Sequence, residues 1–262
     1  MEDKDRAKTD ESRRLAARPL GQQLAKFPLR FASAVFFGQP PSRDAPAGVN
    51  NGTVTLMNLG AGPIAVTCAH VLAEYRDLRE SGKYAVFQIG NVNLDPLAQV
   101  IAEDRNIDLA TIRLSEGQAA RIRKDGLFDT SFFEPSTWPP PPVKESDVVA
   151  LGGFPGTWRE TRSFNELDFP SFSIGATMVT CVAEDHIACQ FDRDRWLWPY
   201  RADGLKDLRD LGGLSGGPAF VHRGLHYDFV GIIYEFNSEF DIMLLRPAHF
   251  IRADGLLERS NP

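Results

Sequence analysis

The segment GGLSGGPAF, residues 212–220, contains a serine enclosed by glycines. Four glycines surround the hydroxyl group of Ser215, and glycine lets the backbone turn sharply and direct several N–H groups at one point. N–H groups gathered in this way stabilise a negatively charged oxygen. The segment therefore predicts a serine in a tight loop that has the chemistry of a nucleophile.

Two further residues stand where they can assist such a serine. His70 ends the apolar run PIAVTCA, where we expect a strand to give way to a turn, and Asp108 stands between the polar EDRN and the apolar LATIRL. A carboxylate at a strand entrance suits the task of holding an imidazole in one tautomer. Each signal is weak alone, because such residues are most often structural. Together with Ser215 they supply a base, an orienting carboxylate, a nucleophile and a loop of N–H groups.

Short apolar runs rich in β-branched and aromatic residues recur along the chain and predict an all-β protein. They fall into two groups of six, separated by residues 115–147. The first group is LRFASAVFF, GTVTLMNL, PIAVTCA, YAVFQIG, LAQVIAE and LATIRL, and the second is VVALGG, FSIGATMVT, HIACQF, PAFVH, FVGIIYEF and FDIMLLR.

The segments between and beyond these groups predict the domain boundaries. EGQAARIRK has a helical pattern. The four prolines Pro139–Pro142 favour an extended connector between the two groups of strands. A more specific alternative is that this proline segment binds an aromatic groove of another protein. The pattern RPAHFIRADGLLER predicts a C-terminal helix that starts at Pro247. We expect a polar tail with one short helix at 1–26, an N-terminal barrel at 27–130, a connector at 131–147, and a C-terminal barrel with its helix at 148–262.

Three blocks resemble those of the trypsin-like, chymotrypsin-fold serine peptidases. VTCAHVL at 66–72 is similar to the family's histidine block, NIDLATIRL at 106–114 to its aspartate strand, and GLSGGPAF at 213–220 to its serine block. The pattern is nearest to the bacterial high-temperature-requirement-type peptidases, without their peptide-binding module. The resemblance covers about residues 30–252 and implies two six-stranded antiparallel β-barrels.

The resemblance also implies a role for each residue of the three blocks. Ser215 would be the nucleophile, His70 the general base and then acid, and Asp108 the carboxylate that orients His70. The N–H groups of Gly213 and Ser215 would form the oxyanion hole. The protein is then expected to be an intracellular serine endopeptidase that cleaves a protein substrate through an acyl-enzyme intermediate.

The substrate pocket departs from the family pattern. Its base falls at or near Arg209, and its wall reads Tyr234, Glu235 and Phe236, where many members have a small glycine at the last position. Arg209 would favour an acidic substrate residue, whereas a bulky Phe236 would narrow or close the pocket. Leu214 stands where secreted trypsins have an aspartate, so we expect no activation by a newly cleaved N-terminus.

Composition limits the partners and the cellular compartment. With 29 basic and 35 acidic residues the net charge is −6, which argues against nucleic acid as the partner. Three cysteines are too few for a disulfide framework, the charged residues 1–26 lack the apolar region typical of a secretory signal, and no long apolar segment occurs in the sequence. We therefore expect a cytoplasmic protein with reduced thiols and no membrane partner.

We predict neither a metal nor a cofactor. His222, His226 and His249 lack the spacing with cysteine or glutamate that a metal site needs. The segment DRWLWPYRADG contains three aromatic residues among arginines, namely Trp196, Trp198 and Tyr200. Such residues can stack on the bases of a nucleic acid, but we favour a loop packed beside the active site.

Two other functions remain open. A closed pocket would make the protein a catalytically silent pseudoprotease that binds a protein partner. The same three catalytic residues would also serve an esterase or acyl transferase. If the protein is an active peptidase, we expect a protein or peptide substrate and tight control, including by a regulatory protein.

Overall fold

The computed structural model describes residues 18–39, 48–82, 84–163, 166–191, 210–224 and 226–258. In this part of the chain antiparallel strands dominate, as the sequence predicts, and there are four short α-helices. The helices are α1 (Pro19–Lys26), α2 (Ala69–Glu80), α3 (Pro96–Gln99) and α4 (Glu116–Asp125).

Fifteen strands form the sheets of the described residues. They are β1 (Ala32–Gln39), β2 (Gly48–Asn58), β3 (Pro63–Thr67), β4 (Val86–Ile89), β5 (Val92–Asn93), β6 (Val100–Asp104), β7 (Leu109–Arg113), β8 (Val148–Gly153), β9 (Glu160–Ser163), β10 (Glu166–Asp168), β11 (Phe172–Val182), β12 (Ile187–Gln190), β13 (Pro218–His222), β14 (Tyr227–Asn237) and β15 (Ile242–Pro247). All twelve predicted strands overlap one of these.

The N-terminal half differs from the predicted six-stranded barrel. It forms a seven-stranded sheet in the order β5-β4-β1-β2-β3-β7-β6, in which β5 and β6 are the two edges. The extra strand, β5, has two residues and follows a tight turn from β4, so it is too short to show a sequence pattern. The described residues do not confirm a closed barrel in this half.

The C-terminal half contains the predicted six-stranded barrel. It closes in the order β11-β12-β15-β14-β13-β8, and its inward side chains form one hydrophobic cluster. A separate two-stranded ribbon, β9–β10, lies outside the barrel. Every β9 residue is exposed, which explains why no apolar alternation marks this strand in the sequence.

The two halves share a second core, which is why they pack as one body. Phe31, just before β1, and Phe133, in the segment between the halves, both contact Phe220 of β13. Their ring centroids lie 5.5 and 5.0 Å from that of Phe220. Phe133 is also joined to β2, because it exchanges backbone hydrogen bonds with Leu56 and Asn58. The segment between the halves is therefore pinned to the N-terminal sheet.

The predicted C-terminal helix is wrong. Pro247 ends β15 instead of starting a helix, and only Ala248–Phe250 form a single 3₁₀ turn. The chain then turns back, because Gly255 has a φ of +85° and Asp254 accepts the N–H of Leu256. A glycine in the left-handed region interrupts a helix more strongly than the apolar spacing favours one.

Two other helices show how local sequence sets the ends. The helix predicted for EGQAARIRK, residues 116–124, is confirmed as α4, which begins with a capping box between Ser115 and Gln118. Helix α1 packs on the barrel, where Ala25 lies against Gly175 of β11. No helix among the described residues is long and apolar enough to cross a membrane.

Candidate active site

His70 and Asp108 form a directly bonded pair. Strand β3 ends at Thr67 and α2 begins at Ala69, so His70 lies in the first turn of a helix and not in the turn that the sequence suggested. Asp108 Oδ2 is 2.8 Å from His70 Nδ1, and Asp108 Oδ1 accepts the backbone N–H of His70 at 2.9 Å. The first N–H groups of a helix have no partner within it, so the carboxylate also caps α2.

This pair fixes the histidine ring and its proton. With Nδ1 donating to Asp108, the unprotonated nitrogen of a neutral His70 is Nε2, the atom that a general base uses. The hydrogen bond to Asp108 raises the pKa of His70 above its usual 6.5, helped by the negative charges of Asp108 and Glu74 and opposed by burial. His70 is thus a stronger base than an unperturbed histidine, and 42% of its side-chain surface is exposed to solvent.

Asp108 has an unusual backbone. Its φ is +50°, in the left-handed region that asparagine and aspartate tolerate better than other residues with side chains. Asp108 closes the turn between β6 and β7, in which Asp104 accepts the N–H of Asn106. The turn therefore directs the carboxylate back toward α2.

The loop that carries Ser215 is held by backbone hydrogen bonds on both sides. The carbonyl of Ser215 accepts the N–H of Thr53 at 3.0 Å, and the N–H of Gly216 donates to the carbonyl of Ile233 at 2.8 Å. Gly213 and Gly216 have φ values of +96° and +93°. A Cβ on Gly216 would lie 2.0 Å from the carbonyl oxygen of Thr53, so the loop needs glycine there.

The N–H groups of Gly213 and Ser215 are available to a ligand. The carbonyl of Gly212 accepts the N–H of Gly156 at 2.6 Å. Because a trans peptide places its C=O and N–H on opposite sides, the N–H of Gly213 points away from Gly156. Neither this N–H nor that of Ser215 donates to an acceptor within the described part of the chain. The arrangement has the donors that an oxyanion hole requires.

Hydrogen bonds bring the loop of Ser215 next to the segment of His70. The carbonyl of Ile233, which binds Gly216, also accepts the thiol of Cys68 at 3.4 Å, two residues before His70. A Cβ on Gly52 would lie 3.2 Å from the side chain of Val71 and 3.7 Å from the carbonyl oxygen of Ser215. The structure thus brings the three predicted residues into one region between the two halves.

The direct contact between nucleophile and base is not formed. Within the described residues Ser215 Oγ makes no hydrogen bond, to His70 or to any other group. Catalytic hydrogen bonds are often long before substrate binds. The observed pairs are therefore His70 with Asp108, and the loop of Ser215 with β2.

A thiol, an imidazole and a carboxylate lie close enough to suggest a metal. The ligand atoms of Cys68, His70 and Asp108 all lie within 4.8 Å of one another. However, His70 and Asp108 already bind each other, and Cys68 donates its proton to a carbonyl. Burial, reinforced by the charge of Asp108, raises the pKa of the Cys68 thiol well above its usual range, which disfavours the thiolate that a metal binds.

The predicted pocket residues are only partly described. Arg209 and the segment with Trp196, Trp198 and Tyr200 lie outside the described residues. Tyr234, Glu235 and Phe236 follow one another on β14, and Glu235 is exposed.

The two aromatic residues of this stretch have partners in the barrel. Phe236 packs edge-on against the buried Phe191, with 5.0 Å between ring centroids. The guanidinium carbon of Arg246 lies 4.1 Å from the ring centroid of Tyr234. The side chains along this strand are therefore held by packing.

Sequence reasoning missed the threonines that hold the site. Thr53 donates its hydroxyl to the carbonyl of Gly213 at 2.8 Å, and Thr55 does the same to Gly216 at 2.8 Å. Both side chains point from β2 toward the C-terminal half. Their signal is the alternation GTVTL, in which polar residues recur at period two within a strand that is buried on both faces.

Comparisons with known proteins give resemblances but no family. No protein-family model matches the chain, and no curated protein matches it. Among solved structures, the thermostable serine protease AL20 from an extremophilic microorganism is 11% identical, with a TM-score of 0.46 over 84% of this chain and 91% of that one.

Two plant-virus proteases are similarly distant. A mutant of the tobacco etch virus protease is 10% identical, with a TM-score of 0.45 over 85% of this chain and 75% of that one. The tobacco vein mottling virus protease is 10% identical, with a TM-score of 0.42 over 90% and 94%. TM-scores below 0.5 decide neither the family nor the activity of this chain, and a relationship to the high-temperature-requirement-type peptidases stays a prediction.

Proposed function

We propose that this protein is a serine endopeptidase in which Ser215 attacks a peptide carbonyl. The proposal rests on the two hydrogen bonds that Asp108 accepts from His70, at 2.9 Å from its backbone N–H and 2.8 Å from its Nδ1. One bond fixes the backbone and the other fixes the ring, so Nε2 is left as the base.

The proposed reaction follows from the positions of these groups. His70 Nε2 takes the proton of Ser215 Oγ as Oγ bonds to the carbonyl carbon, and the N–H groups of Gly213 and Ser215 bind the resulting oxyanion. His70 then gives that proton to the leaving amine. Water hydrolyses the acyl-enzyme by the same steps. Ser215 Oγ and His70 make their hydrogen bond when substrate orders the site.

A fluorophosphonate probe tests whether Ser215 is activated. We expect covalent labelling of the wild type and none of Ser215→Ala, with His70→Ala slowed by at least about 10³-fold because the catalytic residues act as a unit. Ser81→Ala is the matched control, since Ser81 is exposed and its hydroxyl bonds only the carbonyl of Leu78. Absence of labelling in the wild type would refute the proposal.

Peptidase and esterase activity need a second measurement. We expect new N-termini in a proteome digest treated with the wild type and not with Ser215→Ala. Turnover of an activated ester without any peptide cleavage would identify an esterase instead.

A pseudoprotease is the second candidate, and the packing of Phe236 on Phe191 favours it. If this contact closes the pocket, the chain would bind a protein without cleaving it. Failure of labelling in the wild type, with recovery in Phe236→Gly, would support this function over the first.

A further inference from the structure

A cavity of about 710 Å³ lies apart from the candidate active site. One side is the outer face of β1 and β4, another is the β9–β10 ribbon, and a third is the segment that follows α4. Its volume is typical of small-molecule sites. The apolar lining includes Ala34, Phe36, Val49, Val86, Leu127 and Leu167.

Residues of three neighbouring strands contribute to the floor of the cavity. Val49 of β2 and Val86 of β4, which both line it, lie on either side of Gly38 of β1 in the strand register. In the next rows of β1, the large Phe36 is followed by the small Ala34. The part of the cavity floor beside Phe36 and Ala34 is therefore an apolar trough.

Arg159 is the cation of this cavity. Its side chain is partly buried, and the one hydrogen bond that it makes among the described residues is to the carbonyl of Val49, at 3.2 Å. No carboxylate of the described chain pairs with it. Burial lowers the pKa of Arg159 below its usual value, as expected for a cation that lacks a counter-charge. Most of its five N–H donors are unused.

The acidic groups of the lining do not neutralise Arg159. Asp168 is bound to Arg162, which lies on the neighbouring strand of the ribbon. Asp125 and Glu166 are exposed to solvent. The partly buried charge is therefore positive, and the negative charges lie nearer to solvent, where they disfavour a ligand with several anionic groups.

We propose that this cavity binds a small apolar molecule with a single anionic headgroup, a carboxylate. The carboxylate pairs with Arg159, and the apolar body lies over the trough beside Phe36. A planar guanidinium suits a carboxylate because it donates two parallel hydrogen bonds. The apolar lining supplies the remaining affinity by burial.

None of the proposed catalytic residues lines this cavity, although Phe154, which does, donates its N–H to Thr53. Val49, which holds Arg159, precedes Thr53, which holds Ser215, by four residues, so the two anchor points are about 13 Å apart along β2. The proposal therefore does not depend on peptidase activity. Its test measures binding alone.

The test uses anilinonaphthalene sulfonate, a fluorescent dye with an apolar body and one anionic group. Its uncharged analogue phenylnaphthylamine serves for comparison. We expect saturable binding of the sulfonate to the folded wild type. Arg159→Gln should weaken sulfonate binding about tenfold and leave the uncharged dye within about twofold, because only the charged hydrogen bonds are lost. Dodecanoate should displace the sulfonate, and dodecanol should do so less well.

Two variants locate the binding. Ala34→Phe fills the trough and should weaken both dyes, with its thermal unfolding measured to verify the fold. Arg105→Gln is the matched control, because Arg105 is exposed and does not line the cavity, and it should change neither dye. No sulfonate binding, or equal binding by the wild type, Arg159→Gln and Ala34→Phe, would overturn the proposal.

Discussion

The buried hydroxyl of Thr53 joins the two halves at the loop of Ser215. It accepts the N–H of Phe154 at 3.0 Å and donates to the carbonyl of Gly213 at 2.8 Å. This single atom therefore helps to fix the Gly213–Leu214 peptide, which lies between the two peptides whose N–H groups would bind the oxyanion. Thr53 touches no reacting atom, so it acts as a positioning residue.

Thr53→Val should impair both stability and reactivity. The change keeps the side-chain shape but leaves two buried polar groups without partners, which costs about 2 kcal/mol of unfolding free energy. We expect labelling of Ser215 to slow about tenfold, with recovery in Thr53→Ser. Thr111→Val is the control, since the buried Thr111 hydroxyl bonds Gly255 instead. An equal loss of labelling in both valine variants would show a general structural effect.

The rate of Ser215 labelling should depend on the protonation of His70. Labelling requires neutral imidazole, so the rate rises as pH increases through the pKa of His70, which lies above 6.5 because of Asp108 and Glu74. Glu74→Gln should move the midpoint to lower pH and preserve the plateau rate. Asp108→Asn should also lower the midpoint and reduce the plateau by at least about 10³-fold. A midpoint that neither variant moves would exclude His70 as the base.

The three cysteines should differ sharply toward alkylating reagents. Cys181 is exposed, whereas burial raises the pKa of Cys189 to about 12 and that of Cys68 well above its usual range. Because the thiolate is the reactive form, iodoacetamide should modify Cys181 alone in the native protein and all three in denaturant. Mass spectrometry of the labelled chain measures this. Rapid modification of Cys68 in the native protein would contradict its burial two residues before His70.

The role of Phe236 can be tested by its size. If the ring limits the pocket, Phe236→Ala should raise kcat/KM about tenfold for peptides with a large apolar residue before the cleaved bond. Phe240→Ala is the control, because Phe240 lies exposed in the turn after β14. A peptide library that varies this one position gives the readout. An unchanged preference would remove Phe236 from the pocket.

Local patterns predicted the strands well and the long-range contacts poorly. Buried strands such as β3 and β8 follow directly from apolar runs, while the exposed β9 and the two-residue β5 have no such pattern. Helix α2 had a usable signal in Val71, Leu72 and Tyr75, which recur at helical spacing and are buried. The prediction of a C-terminal helix is wrong because it rests on the apolar spacing, whereas the left-handed backbone of Gly255 turns the chain.

The candidate site shows the same division. His70, Asp108 and Ser215 were recognisable because each lies in a short block of characteristic composition. The bond from Thr53 to Gly213 joins residues 160 positions apart, and no pattern within either segment reveals it. Whether Phe236 fills the pocket depends likewise on Phe191, which follows a different strand, β12.

The shared core of the two halves has a practical consequence. Phe133 remains bonded to β2 while Pro139, Pro141 and Pro142 are exposed, so a chain break among these prolines would leave the aromatic cluster and the threonine bonds in place. The two pieces would then assemble as a complementing pair, with the base on one fragment and the nucleophile on the other. Reactivity of Ser215 would in that case report reassembly, as in a split-enzyme sensor.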